Sequence, residues 1–174
     1  MQGREDIPLN AKGLAQAAAV AEYLAQTPWD VIISSPLQRA RQTAEVIGQR
    51  LGIQEIIEDP CFMERDYGKG SGLTLAERKA RYPDRQYEGM ENWDILCSRM
   101  MNGLDRYVKD CIGRNIIIVS HGSAINSVLA TLSSGKIGTG KTRLANACVN
   151  ILRYGEGSYT IELYNQTAEY LLRE

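Results

Sequence analysis

A chain of 174 residues, 44% apolar and 24% charged, is large enough to enclose one ordinary hydrophobic core. Its formal charge of -1 and the lack of any Lys/Arg block speak against general nucleic-acid binding, and no apolar run is long enough to span a bilayer. Four cysteines without a CxxC pair, beside one histidine, cannot assemble a zinc site, so the composition predicts a cytoplasmic protein with reduced thiols.

Helical and strand-like periods alternate along the chain. Leu14 to Ala25 is alanine-rich and predicts a helix packed closely on a sheet. Asp30 to Ile33 is a short β-branched strand, and after Ser34-Ser35-Pro36 a helix from Leu37 to Leu51 aligns Ala40, Ala44, Ile47 and Leu51 on one stripe. Ile53 to Glu58 is a weak strand. A glycine-containing loop through Met63 to Gly68 precedes a short helix near Leu73 to Arg81. From Glu91 to Cys111 a long amphipathic helix carries Ile95, Met101, Leu104 and Val108 among its apolar positions. Asn115 to Ser120 is the clearest strand, and a helix behind His121 runs to Leu132. Ala147 to Tyr154 and Tyr159 to Tyr164 form a hairpin about Gly155-Glu156-Gly157, at or near a sheet edge. The alternation reads as one α/β domain over residues 1–174 with a mainly parallel sheet.

Three segments could carry chemistry. His121 leaves the apolar run Ile116 to Val119 just as a helix opens, which is where parallel α/β sheets place ligands. Ser34 to Ala44 passes from strand to helix, with helix amides and Arg39 or Arg41 positioned to hold a phosphate. The alternative there is an ordinary solvated surface helix. Glu64, partly shielded by Tyr67 and loop backbone, could donate a proton to a leaving oxygen, although most acidic loops do nothing of the kind. Gly135 to Thr142 formally fits G-x-x-x-x-G-K-[ST], but no strand feeds it and no helix leaves it, so it reads as a glycine-rich connection.

Taken in order, Ser34-Ser35-Pro36-Leu37-Gln38-Arg39-Ala40-Arg41-Gln42-Thr43-Ala44, Glu64-Arg65-Asp66-Tyr67-Gly68 and Val119-Ser120-His121-Gly122 resemble the histidine phosphatase superfamily. Arg81-Tyr82-Pro83-Asp84 and Arg143 to Cys148 are similar to its bacillar broad-specificity phosphatase branch. The resemblance covers nearly the whole chain. It implies a phosphoglycerate mutase-like α/β fold, a mainly parallel sheet flanked by helices, and a phosphomonoester hydrolase that needs no metal or other cofactor. It further implies that Arg39 holds the phosphoryl group, that Glu64 protonates the leaving alcohol and that His121 donates to a phosphoryl oxygen. Gln2, Gly3, Arg65, Asp66, Tyr67 and the Gly122 amide would line the substrate. The expected partner is a small phosphate ester, with no nucleic acid and no membrane; the pattern fixes no oligomeric state.

One departure matters most. The family's nucleophile is a histidine in an Arg-His-Gly motif at the end of the first, central strand, and this sequence has no such motif. His121 cannot be both the phosphorylated nucleophile and the donor to the phosphoryl oxygens. Gln2-Gly3-Arg4-Glu5-Asp6-Ile7-Pro8-Leu9 matches the loop that follows the missing segment. The resemblance therefore implies a domain truncated at its N-terminus and inactive as written, with two neighbouring strands left unpartnered. Met1 is expected to be an internal methionine of a longer protein rather than the start of a true short form. Besides the phosphatase, a non-catalytic phosphate-binding protein and a mutase-type isomerase remain as alternatives.

Overall fold

The computed structural model describes residues 2–84 and 86–173, so Met1 lies outside the described residues. Its elements are α1 (Ala11–Leu24), β1 (Val31–Ser34), α2 (Gln38–Leu51), β2 (Ile56–Glu58), α3 (Leu75–Arg81), α4 (Trp93–Asp110), β3 (Ile116–Val119), α5 (Gly122–Leu132), β4 (Cys148–Gly155), β5 (Ser158–Thr167) and α6 (Ala168–Leu171). Single 3-10 turns at Pro60–Phe62 and Gly68–Gly70 and the closing α6 have no counterpart among the elements expected from sequence. They are too short to show a period.

β1 pairs in parallel with β2 on one side and β3 on the other, giving the order β2-β1-β3. β4 and β5 form a separate antiparallel pair, closed by a turn in which Glu156 and Gly157 both take positive φ. Helices cover both faces of this layer. On one face Val20, Ala21 and Leu24 of α1 meet Ala44 and Ile47 of α2, with Ile32, Ile117, Val149 and Ala168. On the other, Leu96 and Met100 of α4 and Ala124 and Val128 of α5 pack on Ile33 and Phe62. Successive residues of β1 thus point into opposite cores, as the two-residue period of a strand requires.

The stripe on α2 is the expected one, with Ala40, Ala44 and Ile47 buried. On α4, Met101 and Leu104 pack against the core as expected, but Ile95 is 59% exposed, and the fully buried positions are Leu96, Met100 and Gly103. The reason is close approach: a Cβ on Gly103 would lie 3.0 Å from the Phe62 ring and 3.1 Å from Cys61, so the helix surface with the smallest side chain faces the Pro60–Phe62 turn. Gly135 to Thr142 forms turns between α5 and the approach to β4, without a strand before it or a helix behind it, as a connection rather than a phosphate loop.

Candidate active site

Parallel pairing brings the exits of β1 and β3 side by side, with the Ser35 amide donating to the Val119 carbonyl at 2.9 Å. The next residues on each strand then meet: His121 Nε2 lies 2.7 Å from Ser35 Oγ. His121 is 7% exposed, and burial, reinforced by Arg39 and then Arg99, holds its pKa down to about 3. The imidazole is therefore neutral at pH 7. Ser35 carries no signal of its own in the sequence, because its contact with His121 exists only once the two strands pair.

Arg39 is the second residue of α2 and borders the cleft at the strand ends. Its guanidinium donates to the Gly3 and Glu5 carbonyls, at 2.7 Å each. Burial lowers its pKa, while Glu64 and Asp6 act to raise it. Arg41 instead faces solvent, within salt-bridge range of Glu45 and Glu58. The free helix terminus expected at α2 is already occupied: Asp6 accepts from the Gln38 amide at 2.7 Å and from the Gln38 side chain at 3.1 Å. A carboxylate from a distant loop thus supplies the cap that Leu37 cannot.

Glu64 reaches the start of α5. Its Oε1 accepts from the Arg65 amide at 2.8 Å and the Ala124 amide at 3.1 Å, and its Oε2 from the Ser123 amide at 3.2 Å. Serving as an acid would require this carboxyl to turn away from those amides with a proton aboard. Tyr67 covers it, with its hydroxyl 2.6 Å from Ser123 Oγ; burial raises the phenol's pKa, so it remains neutral. Gly122 opens α5 with free space before it, since an added Cβ would meet nothing within 4 Å. Gly3 is the opposite case: at φ 56°, its Cβ would fall 2.6 Å from Ser71 Oγ.

The Glu64 loop rests on a buried ionic brace that sequence reasoning missed. Arg99 pairs with Glu91, whose side chain is 8% exposed, and donates to the carbonyls of Cys61, Met63 and Glu64. Arg4 adds a bond to the Glu64 carbonyl at 3.2 Å. No short motif announces the carbonyl partners of Arg99, because they lie 35 to 38 residues away.

Gln2, Gly3, Arg39, Glu64, Tyr67, His121 and Gly122 all border one cleft of about 1920 Å³. Arg65 and Asp66 do not border it. Arg65 donates to the Glu91 carbonyl and lies over the Tyr67 and Trp93 rings, and Asp66 accepts from the Gly68 amide. Among the described residues, no group of three or more His, Cys, Asp or Glu could hold a metal ion, and no helix is long and apolar enough to cross a membrane.

Residues 1–167 match the histidine phosphatase superfamily, branch 1. The chain belongs to that superfamily. It is 42% identical over 164 residues to the uncharacterized phosphatase PhoE of Bacillus subtilis (strain 168), covering 94% of this chain and 84% of that protein. It is also 29% identical over 181 residues to a metal-independent phosphoserine phosphatase of Arabidopsis thaliana, covering 97% of this chain and 75% of the relative. Among solved structures, the mycobacterial glucosyl-3-phosphoglycerate phosphatase Rv2419c with inorganic phosphate superposes with a TM-score of 0.86 at 26% identity. That match covers 97% of this chain and 92% of the mycobacterial one. The α/β architecture of this histidine phosphatase, a small parallel sheet between helices, is the phosphoglycerate mutase-like fold, and a phosphate ester substrate fits the family.

Proposed function

We propose that these residues belong to a single phosphomonoester hydrolase domain that works through a phosphohistidine and needs no metal. The observation that carries this reading is the convergence of Arg39, Glu64 and His121 on one cleft from the segments that follow β1, β2 and β3. Arg39 and the Gly122 amide hold the phosphoryl oxygens. Neutral His121 donates to one of them as charge develops. The ester P–O bond breaks as a second imidazole takes the phosphoryl group, Glu64 gives its proton to the leaving oxygen, and water then releases phosphate. Arg65 and Asp66 act here by positioning Glu64 and Tyr67 rather than by touching substrate. Relatives named for phosphoserine and glucosyl-3-phosphoglycerate support a small anionic phosphate ester as the substrate class.

The second imidazole has to come from outside these residues, because the sequence contains one histidine. The expected result is no hydrolysis of p-nitrophenyl phosphate above background by the 174-residue protein. A version extended upstream of Gln2 by a strand ending in Arg-His-Gly should turn over at a rate unchanged by EDTA. An extended, folded protein that stays inactive would defeat the proposal. The single histidine also favours a second reading, a phosphate-binding protein without turnover. It predicts saturable binding of inorganic phosphate by calorimetry, lost in Arg39→Ala.

A further inference from the structure

Ser35 is held from every side at the exit of β1. Its amide donates to the Val119 carbonyl at 2.9 Å, and its carbonyl accepts from Ser34 Oγ at 2.9 Å. Pro36 behind it disfavours the helical conformation, so the residue stays extended and the turn into α2 begins only after it. Ser35 is 0% exposed, which puts its hydroxyl out of reach of solvent and of anything outside these residues.

A serine hydroxyl has one proton to donate and two lone pairs with which to accept. The Leu37 amide donates to Ser35 Oγ at 3.3 Å, and His121 Nε2 lies 2.7 Å away. Among the described residues no other group stands within hydrogen-bond reach of this hydroxyl. If Nε2 carried the proton of the neutral imidazole, Ser35 Oγ would accept twice and its own buried proton would have no acceptor, a costly arrangement. With the hydroxyl donating to Nε2, every one of these groups is satisfied and the ring proton sits on Nδ1.

We propose that Ser35 is a positioning residue that holds His121 in its Nδ1–H tautomer, which makes Nδ1–H the donor offered to a phosphoryl oxygen. Nδ1 has no partner among the described residues, and His121 borders the cleft together with Arg39 and Gly122. Ser35 does not border the cleft, so it acts through the imidazole and never on a substrate. In the opposite tautomer Nδ1 would present a bare lone pair, and the neutral ring would repel a phosphoryl oxygen instead of donating to it. The inference rests on the phosphatase reading for the identity of the acceptor, whereas the tautomer follows from the contacts of Ser35 alone.

The test is a long-range proton–nitrogen correlation spectrum of the isotope-labelled 174-residue protein, in which the one histidine supplies the only imidazole. Expected at pH 7 are a protonated, pyrrole-type shift at Nδ1 and an unprotonated, pyridine-type shift at Nε2. Ser35→Ala should move the ring toward the Nε2–H form that a free neutral imidazole prefers. Should that variant not fold, Ser35→Cys, close to serine in size and a much weaker donor, should move it the same way. A wild-type ring protonated at Nε2 overturns the proposal, and so does a folded variant that keeps the Nδ1–H form in full. Added inorganic phosphate should shift the Nδ1–H signal saturably; a switch to the Nε2–H form on adding phosphate would also overturn the proposal. A ring that is protonated at Nδ1 and ignores phosphate upholds the tautomer set by Ser35 and defeats the phosphatase reading instead.

Discussion

β1 and β3 have nearly interchangeable sequences, Val31-Ile32-Ile33-Ser34 and Ile116-Ile117-Ile118-Val119, yet they live in different surroundings. β1 is paired on both edges, and Ile32 and Ile33 are 0% exposed. β3 is paired on one edge, and only Ile117 among its residues is buried. A β-branched run records the burial a strand is suited to, whereas the burial attained depends on partners elsewhere in the polypeptide. The contrast extends to the site, since β1 leads to Arg39 and β3 to His121.

The largest expected effect comes from the brace beneath both exits. Arg99→Ala strands the buried Glu91 carboxylate and frees three loop carbonyls, and should cost about 3 to 5 kcal/mol in urea unfolding. Ile33→Ala, in the fully paired strand, should cost about 3 kcal/mol, and Ile118→Ala about half as much. Equal losses at the two positions would erase the contrast between the strands.

His121 gives the β3 exit a pH dependence in the mildly acidic range. Its pKa is about 3 in the folded state against 6.5 for an unperturbed imidazole, so between those values the unfolded chain binds a proton that the folded chain refuses. Stability contributed by the neutral imidazole is present above pH 6.5 and is lost as pH falls toward 3, by an amount on the order of a few kcal/mol. The His121→Asn protein should show a flatter urea midpoint across that range. In an extended, active protein, Glu64→Gln should slow alkyl phosphate hydrolysis about a hundredfold or more and aryl phosphates much less, because aryloxides leave without a proton. Equal losses would remove Glu64 from the acid role. Asp6→Ala, which uncaps α2, should lower the melting temperature only slightly.

Local periodicity is the part of this molecule that its sequence displays openly. β1, α2, β3 and α5 lie within a residue or two of their expected bounds, and with them came the placing of Arg39 and His121 at strand exits. What escaped was held together by partners distant in sequence. Asp6 caps a helix 32 residues away, Ser35 meets His121 across 86 residues, and Arg99 supports a loop 35 residues upstream. Ile95 failed as a core position because apolar character alone does not choose among the faces of an amphipathic helix; the glycine at Gly103 does.

Since the chain has one histidine, its imidazole resonances need no assignment, and their response to inorganic phosphate tests the phosphoryl pocket directly. In the free protein the imidazole should remain neutral down to about pH 3. Added phosphate should shift its resonances saturably at pH 7 and raise its pKa, because an adjacent anion favours the protonated ring. Resonances that ignore phosphate, or a free protein whose histidine titrates near 6.5, would contradict a phosphoryl pocket built on a buried, neutral His121.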